Sequence, residues 1–473
     1  MSSAKEPVTR RFGNGLTVLI KEDKSHPVVS LQYWVGTGSM NEGHWQGSGL
    51  SHLLEHLVFK GTEHYSGQDL ARKVQERGGH WNAYTSVNRT VYYIDGPADS
   101  WQIFLNLLTE LVFFPTFPED ELEREKGVVR REMAMYADDP DSVAYQLLMQ
   151  TLYLKHPRRW PVLGEPAAFD CLTRQDVLDY HASRYVPNNV VLSIAGDVDA
   201  AEIFSHLELL VEDLKSRPLN RELIPHEPHQ FGSRRVRKEF AVPYSKLNLA
   251  WRLPCSGHPD TPALSALASI LGGGRSARFY EKFHDRLGLV YSIEVHSNQS
   301  ETDEGAFTIS IDVDRAQRDK VRDLVLQELR NLAQEDFTED LKRVCKQTRV
   351  SRLRRRSSAA GVASEMGADW FGARNLNLSS EWQEAIERVT TEDLHRVCST
   401  WLSSPNVTEV SLDPVGSNAA EEDGSAAGTE TALSEHVLGN GMKVVIREDH
   451  RLPLAYACLA FKAGCRAENE HDA

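Results

Sequence analysis

Two histidines and a glutamate stand close together in the run Gly49-Leu-Ser-His52-Leu-Leu-Glu55-His56-Leu-Val-Phe-Lys-Gly61. On a helix, residues i and i+4 lie one above the other, so His52 and His56 share a face. Two neutral imidazoles at that spacing can hold one Zn2+, and Glu55 lies next to them as a proton acceptor. The chemistry this implies is hydrolysis by a water that the metal activates. A catalytic zinc usually has three protein ligands, so a third must come from elsewhere in the chain.

A helix must position these groups. Gly47 and Gly49 precede it, Ser51 or Ser48 is the expected N-cap, and Gly61 is a plausible residue just past its end. Elsewhere strand and helix patterns alternate. Apolar β-rich runs occur at 90–94, 190–194, 247–253 and 306–311, and helical periodicity at 68–77, 101–111, 175–185, 319–334 and 391–402. This mixture predicts α+β domains rather than an all-helical array. A polar, proline-containing stretch at 216–234 suggests a boundary, giving expected domains at 1–225 and 226–412.

The chain also repeats itself. Shifting residues 13–42 by 426 positions matches Gly13, Asn14, Gly15, Val18, Ile20, Glu22, Asp23, Pro27, Gly38 and Glu42 to identical residues in 439–468. Residues 413–433 are small and acidic and read as a flexible linker. Residues 434–473 then read as the start of a third domain, cut short. The expectation is a longer two-half protein whose second half is a partner of this one.

With 53 Lys plus Arg against 68 Asp plus Glu, the formal charge is −15, which argues against nucleic acid as the main partner. No apolar run approaches the ~18 residues of a membrane span. The six cysteines are scattered, as suits idle thiols in a reducing compartment. The N-terminus lacks the apolar core of a secretory signal, so the expected location is cytoplasmic, with the periplasm or an organelle left open if a targeting segment is missing. The basic run Arg349–Arg356 reads as a solvated helix face touching acidic neighbours.

The order H-x-x-E-H reverses the commoner H-E-x-x-H and is the inverzincin pattern. With it, the sequence resembles the pitrilysin-type (M16) family of zinc metallopeptidases over most of residues 10–412. That family carries a glutamate ligand some 75 residues after the second histidine and a further glutamate seven positions earlier. The resemblance therefore implies Glu132, 76 residues after His56, as third ligand, and Glu125 as the companion that supports the site. It implies that Asn82 and Ala83, in Gly78-Gly-His-Trp-Asn82-Ala83-Tyr84-Thr85, belong to an edge strand that receives extended substrate backbone. Pro161–Glu165 and Tyr185–Asp197 also resemble family segments.

One departure stands out: where the family has a substrate-binding arginine seven residues before a tyrosine, this chain has His284 before Tyr291. The resemblance implies two similar domains, each a mixed sheet flanked by helices, and one Zn2+ per chain. The implied activity is hydrolysis of peptides or unfolded polypeptide, with Glu55 as general base. The rival expectation is a non-catalytic scaffold or recognition subunit of a peptidase-like complex.

Overall fold

A computed structural model of the chain describes residues 6–219, 222–299, 304–402, 405–416 and 434–446. The first sheet contains β1 (Val8–Arg11), β2 (Thr17–Glu22), β3 (Val28–Val35), β4 (His80–Thr85), β5 (Thr90–Pro97) and β6 (Val190–Gly196). Their order is β1-β2-β6-β3-β5-β4, with β2 and β6 parallel and the other neighbours antiparallel. The second sheet contains β7 (Arg234–Phe240), β8 (Ser245–Leu253), β9 (Val290–Asn298), β10 (Gly305–Val313) and β11 (Thr408–Pro414). Its order, β7-β11-β8-β10-β9, again has one parallel pair, β7 with β11. The α+β expectation of two similar sheet-and-helix domains holds.

The central strands are buried on both faces, which explains their near-continuous Val, Leu, Tyr and Trp runs. In β3, Leu31, Tyr33 and Val35 face the main core of the first half, while Trp34 joins Leu19, Val91 and Val191 on the opposite face. What covers that opposite face comes from the other half. Helix Ala359–Ala373 lies on β3 and β6, with Ala363 and Met366 in the same cluster. Ser193 donates to the Ala363 carbonyl at 2.7 Å and Gln32 to the Ala360 carbonyl at 3.1 Å. Gly367 is required there, since a Cβ at that position would lie 2.3 Å from the Trp34 ring.

The reciprocal exchange also occurs. Helix Pro140–Leu152 leaves the first half and packs Leu148, Met149 and Leu152 on Ala250, Ala306 and Val410 of the second sheet. The stretch expected to separate the domains does lie between β6 and β7, but two helices cross it in opposite directions.

Residues 434–446 form a hairpin of β12 (Ser434–Val437) and β13 (Lys443–Ile446). Its register, Ser434 opposite Ile446 and Val437 opposite Lys443, is that of Val8 opposite Ile20 and Arg11 opposite Thr17, moved by 426. Gly15 and Gly441 both adopt positive φ, 92° and 81°, in the two turns. The repeat read from sequence is thus structural over this hairpin. The remainder of the expected linker (417–433) and third domain (447–473) lies outside the described residues.

Candidate metal centre

Helix Leu50–Val58 buries Leu50, Leu53, Leu54 and Leu57 against the first sheet and leaves His52, Glu55 and His56 on its less buried side. Neither Ser48 nor Ser51 caps it. Its N-cap is Gly49, with φ +73°, and the backbone N–H of Ser51 donates instead to the carboxylate of Glu42 at 2.9 Å. The strand-to-helix connection runs so close to Pro161–Glu165 that a Cβ on Gly49 would meet the Leu163 carbonyl at 2.1 Å. A hydroxyl cap has no room to form where the backbone enters in a left-handed turn. The helix ends with Phe59 as C-cap, so Gly61 falls one residue beyond the expected position. The Tyr180 hydroxyl fixes the first turn, within 2.8 Å of Ser51 Oγ and 2.6 Å of Thr37 Oγ1.

Helix Glu119–Asp138 crosses the histidine helix and brings Glu132 to it. Glu132 Oε2 lies 3.7 Å from His52 Nε2 and 3.8 Å from His56 Nε2. One donor atom from each of the three residues falls within 4.8 Å of the others, the one such group of three or more His, Cys, Asp or Glu among the described residues. Two imidazole nitrogens and a carboxylate oxygen form a donor set suited to Zn2+, whose ligands lie about 2.0–2.2 Å from the ion. Three donors spaced this far apart can converge on one such ion with small side-chain adjustments, so the residues fit the metal.

The two histidines differ in their surroundings. His56 donates through Nδ1 to Glu125 Oε2 at 3.1 Å, leaving its Nε2 lone pair towards Glu132. Glu125 is buried and its other oxygen is held by Lys60 at 2.7 Å. Burial disfavours charge on both His56 and Glu125, yet their mutual bond and nearby opposite charges win, raising the His56 pKa and lowering that of Glu125. His52 has no such partner: its Nδ1 is buried without a hydrogen bond. Burial, reinforced by the charge on His56, pushes its pKa down to about 3, so its ring stays neutral with a free lone pair.

Glu55 faces the end of β4, where the Thr85 hydroxyl donates to its Oε2 at 2.5 Å. Burial raises its pKa, partly offset by that hydroxyl. Strand β4 is the open edge of the sheet, hydrogen-bonded only to β5 among the described strands. Asn82 and Ala83 sit at its middle, and the Ala83 N–H is taken by the Asn82 side chain at 2.9 Å. His284 and Tyr291 are elsewhere in the fold: His284 stacks on Tyr280 within a π-helical turn, Tyr280–Arg286, and Tyr291 is exposed at the start of β9. In the basic run, Arg352 and Arg356 both bond Glu365. Sequence reading missed Glu42, Lys60, Thr85 and Tyr180. Each acts through a contact distant in the chain, and only Lys60, four residues after His56, gave a local signal.

Paired α+β halves, one of them bringing together two histidines from one helix and a glutamate from another that crosses it, have the layout expected of zinc metallopeptidases. Residues 17–165 match the family described as Insulinase (Peptidase family M16), and residues 172–347 match the Peptidase M16 inactive domain. A Rickettsia felis protein named an uncharacterized zinc protease is 27% identical over 406 residues, covering 83% of this chain and 94% of its own. A Mycobacterium tuberculosis protein, also named an uncharacterized zinc protease, is 30% identical over 299 residues, covering 62% and 67%. The crystal structure of a protease from Helicobacter pylori superposes with a TM-score of 0.79 at 26% identity, covering 86% of this chain and all of that one. The chain belongs to peptidase family M16, the pitrilysin-type family. No described helix is long and apolar enough to cross a membrane.

Proposed function

We propose that the chain is a zinc-dependent endopeptidase or oligopeptidase in which His52, His56 and Glu132 hold one Zn2+. The observation that carries this reading is the convergence of those three donors beside a carboxylate, Glu55, whose hydrogen bond goes to Thr85. Zinc bound there would supply Lewis-acid polarisation and lower the pKa of a water towards ~7. Glu55 would accept a proton from the attacking water and return it to the leaving amine. Burial suits it to both tasks by raising its pKa, and Thr85 fixes the orientation of its carboxylate. Glu125, itself held by Lys60, keeps the His56 ring turned with Nε2 outward.

The substrate is an extended peptide or unfolded segment lying along the free edge of β4. Main-chain groups at Asn82 and Ala83 hold it, and the Asn82 side chain must release the Ala83 N–H as it binds. The described cysteines are unpaired, which supports a reducing compartment such as the cytoplasm.

Glu55→Gln tests the mechanism. Purified without chelators, both wild type and variant should carry about one zinc per chain, while the variant cleaves an unstructured peptide about 10^2- to 10^4-fold more slowly. Zinc-free wild-type protein, or near-normal cleavage by the variant, would overturn the proposal.

A further inference from the structure

The side of the first sheet that receives helix Ala359–Ala373 opens into a cavity of about 640 Å3, lined by none of the metal-centre residues. Thr17 and Val191 line its sheet side, Trp370 and Phe371 its helix side, and Arg11 and Arg374 its rim. No aspartate or glutamate lines it. Among the described residues neither guanidinium makes an ion pair or hydrogen bond, in a chain whose formal charge is −15. Two exposed guanidinium groups without a protein partner therefore border one apolar-walled space.

Arg374 is further unusual in its backbone. It caps helix Ala359–Ala373 at φ +54°, in the left-handed region where glycine or asparagine is expected. A cation at a helix C-terminus is favoured by the backbone dipole, which would explain Arg374 in isolation. It does not explain Arg11 brought near it from β1. Partial desolvation and the neighbouring positive charge of Arg11 both work against the charge on Arg374. Like charges held together beside an aromatic wall are what an oxyanion neutralises, and guanidinium forks match carboxylate and phosphate geometry.

We infer that this cavity binds a small ligand carrying an oxyanion, carboxylate or phosphate, on a planar apolar body. The oxyanion lies between Arg11 and Arg374 and the planar body against Trp370 and Phe371. The volume suits such a ligand. Because Arg11 belongs to the first half and Arg374 to the helix contributed by the second, the ligand ties that helix to its sheet and stabilises the folded chain by mass action.

Calorimetric titration of the zinc-loaded full chain tests this with phenyl phosphate, benzoate and inorganic phosphate. At least one of the two aromatic anions should bind saturably at millimolar concentration or below, and bind more tightly than inorganic phosphate. Arg11→Gln and Arg374→Gly should each weaken that binding by about tenfold or more, the loss of a charge-assisted contact. Arg374→Gly suits the left-handed backbone, so its thermal midpoint should match wild type and exclude unfolding as the cause. Absence of saturable binding, or binding undiminished in both variants (as at the histidine cluster), would overturn the site. Inorganic phosphate binding as tightly as the tighter of the two aromatic anions would overturn the planar part of the assignment.

Discussion

In the first half, β3 leads into the histidine helix Leu50–Val58; in the second, the corresponding strand β8 leads into Thr261–Gly272, whose inner positions are Ala263, Leu264, Ala266, Leu267 and Ile270. The strand orders agree from β2-β6-β3-β5-β4 to β7-β11-β8-β10-β9. Even small devices recur: Thr173 and Asp176 form a capping box before Arg174–Arg184, and Thr390 and Asp393 form one before Thr391–Val397. Yet the second half offers no histidine pair on its helix, and the helix Thr338–Arg355, placed like Glu119–Asp138, carries arginines in its last turn. The frame is therefore separable from the chemistry. One sheet-and-helix plan serves a polar cluster in one copy and plain apolar packing in the other.

The largest contrast to test is at the metal. Glu132→Ala should weaken zinc binding by more than the about 10- to 100-fold expected for Glu125→Ala, which removes only the support behind His56. Glu339→Ala, an exposed change on the second half's matching helix, should leave zinc binding as it was. Competition with a chelating dye measures all three. Wild-type affinity in Glu132→Ala would dissolve the distinction between the halves.

Next comes packing. Leu54 and Leu267 are both fully buried on the corresponding helices, so replacing either by alanine should cost about 2–5 kcal/mol in urea unfolding. Because each half lends a helix to the other, zinc should raise the midpoint of both variants alike. Two separate transitions, with zinc moving only the one affected by Leu54→Ala, would show that the halves unfold independently.

The smallest effect concerns protons. Eight residues after its capping threonine the first half has His181, where the second has Cys398. His181 bonds the Val112 carbonyl at 2.9 Å, and burial pushes its pKa down to about 4. The unfolded chain binds that proton near pH 6.5, so stability should fall as pH drops from about 6.5 to about 4, by at most about 1.4 kcal/mol per pH unit. His181→Cys should flatten the stability–pH curve in that window. An unchanged slope would mean that His181 is protonated in the folded protein.

Much of this frame was legible from residues. The runs at 190–194, 247–253 and 306–311 all became central strands, because buried strands announce themselves by short runs dominated by apolar residues. His52, Glu55 and His56 were legible because helical spacing is local. Glu132 was not, since 76 residues of separation carry no physical signal and only resemblance supplied it. The capping role of Glu42 was likewise hidden: serines next to a helix look like caps until the backbone that enters is seen to be left-handed. The crossed helices were the least readable feature. Periodicity shows that a helix has an apolar face, not whose sheet will cover it.

That crossing has a consequence for what counts as a piece of this protein. A chain broken anywhere between Leu210 and Arg234 keeps every strand of each sheet, but neither fragment keeps its full covering. The N-terminal fragment projects Pro140–Leu152 with nothing to lie on, and the C-terminal fragment projects Ala359–Ala373. Each bare helix face is the complement of a bare sheet face on the other fragment. A nicked molecule should therefore travel as one particle until denatured. Co-expressed fragments should find each other as a split protein does, with the proposed zinc ligands supplied entirely by one partner and the backing of their sheet by the other.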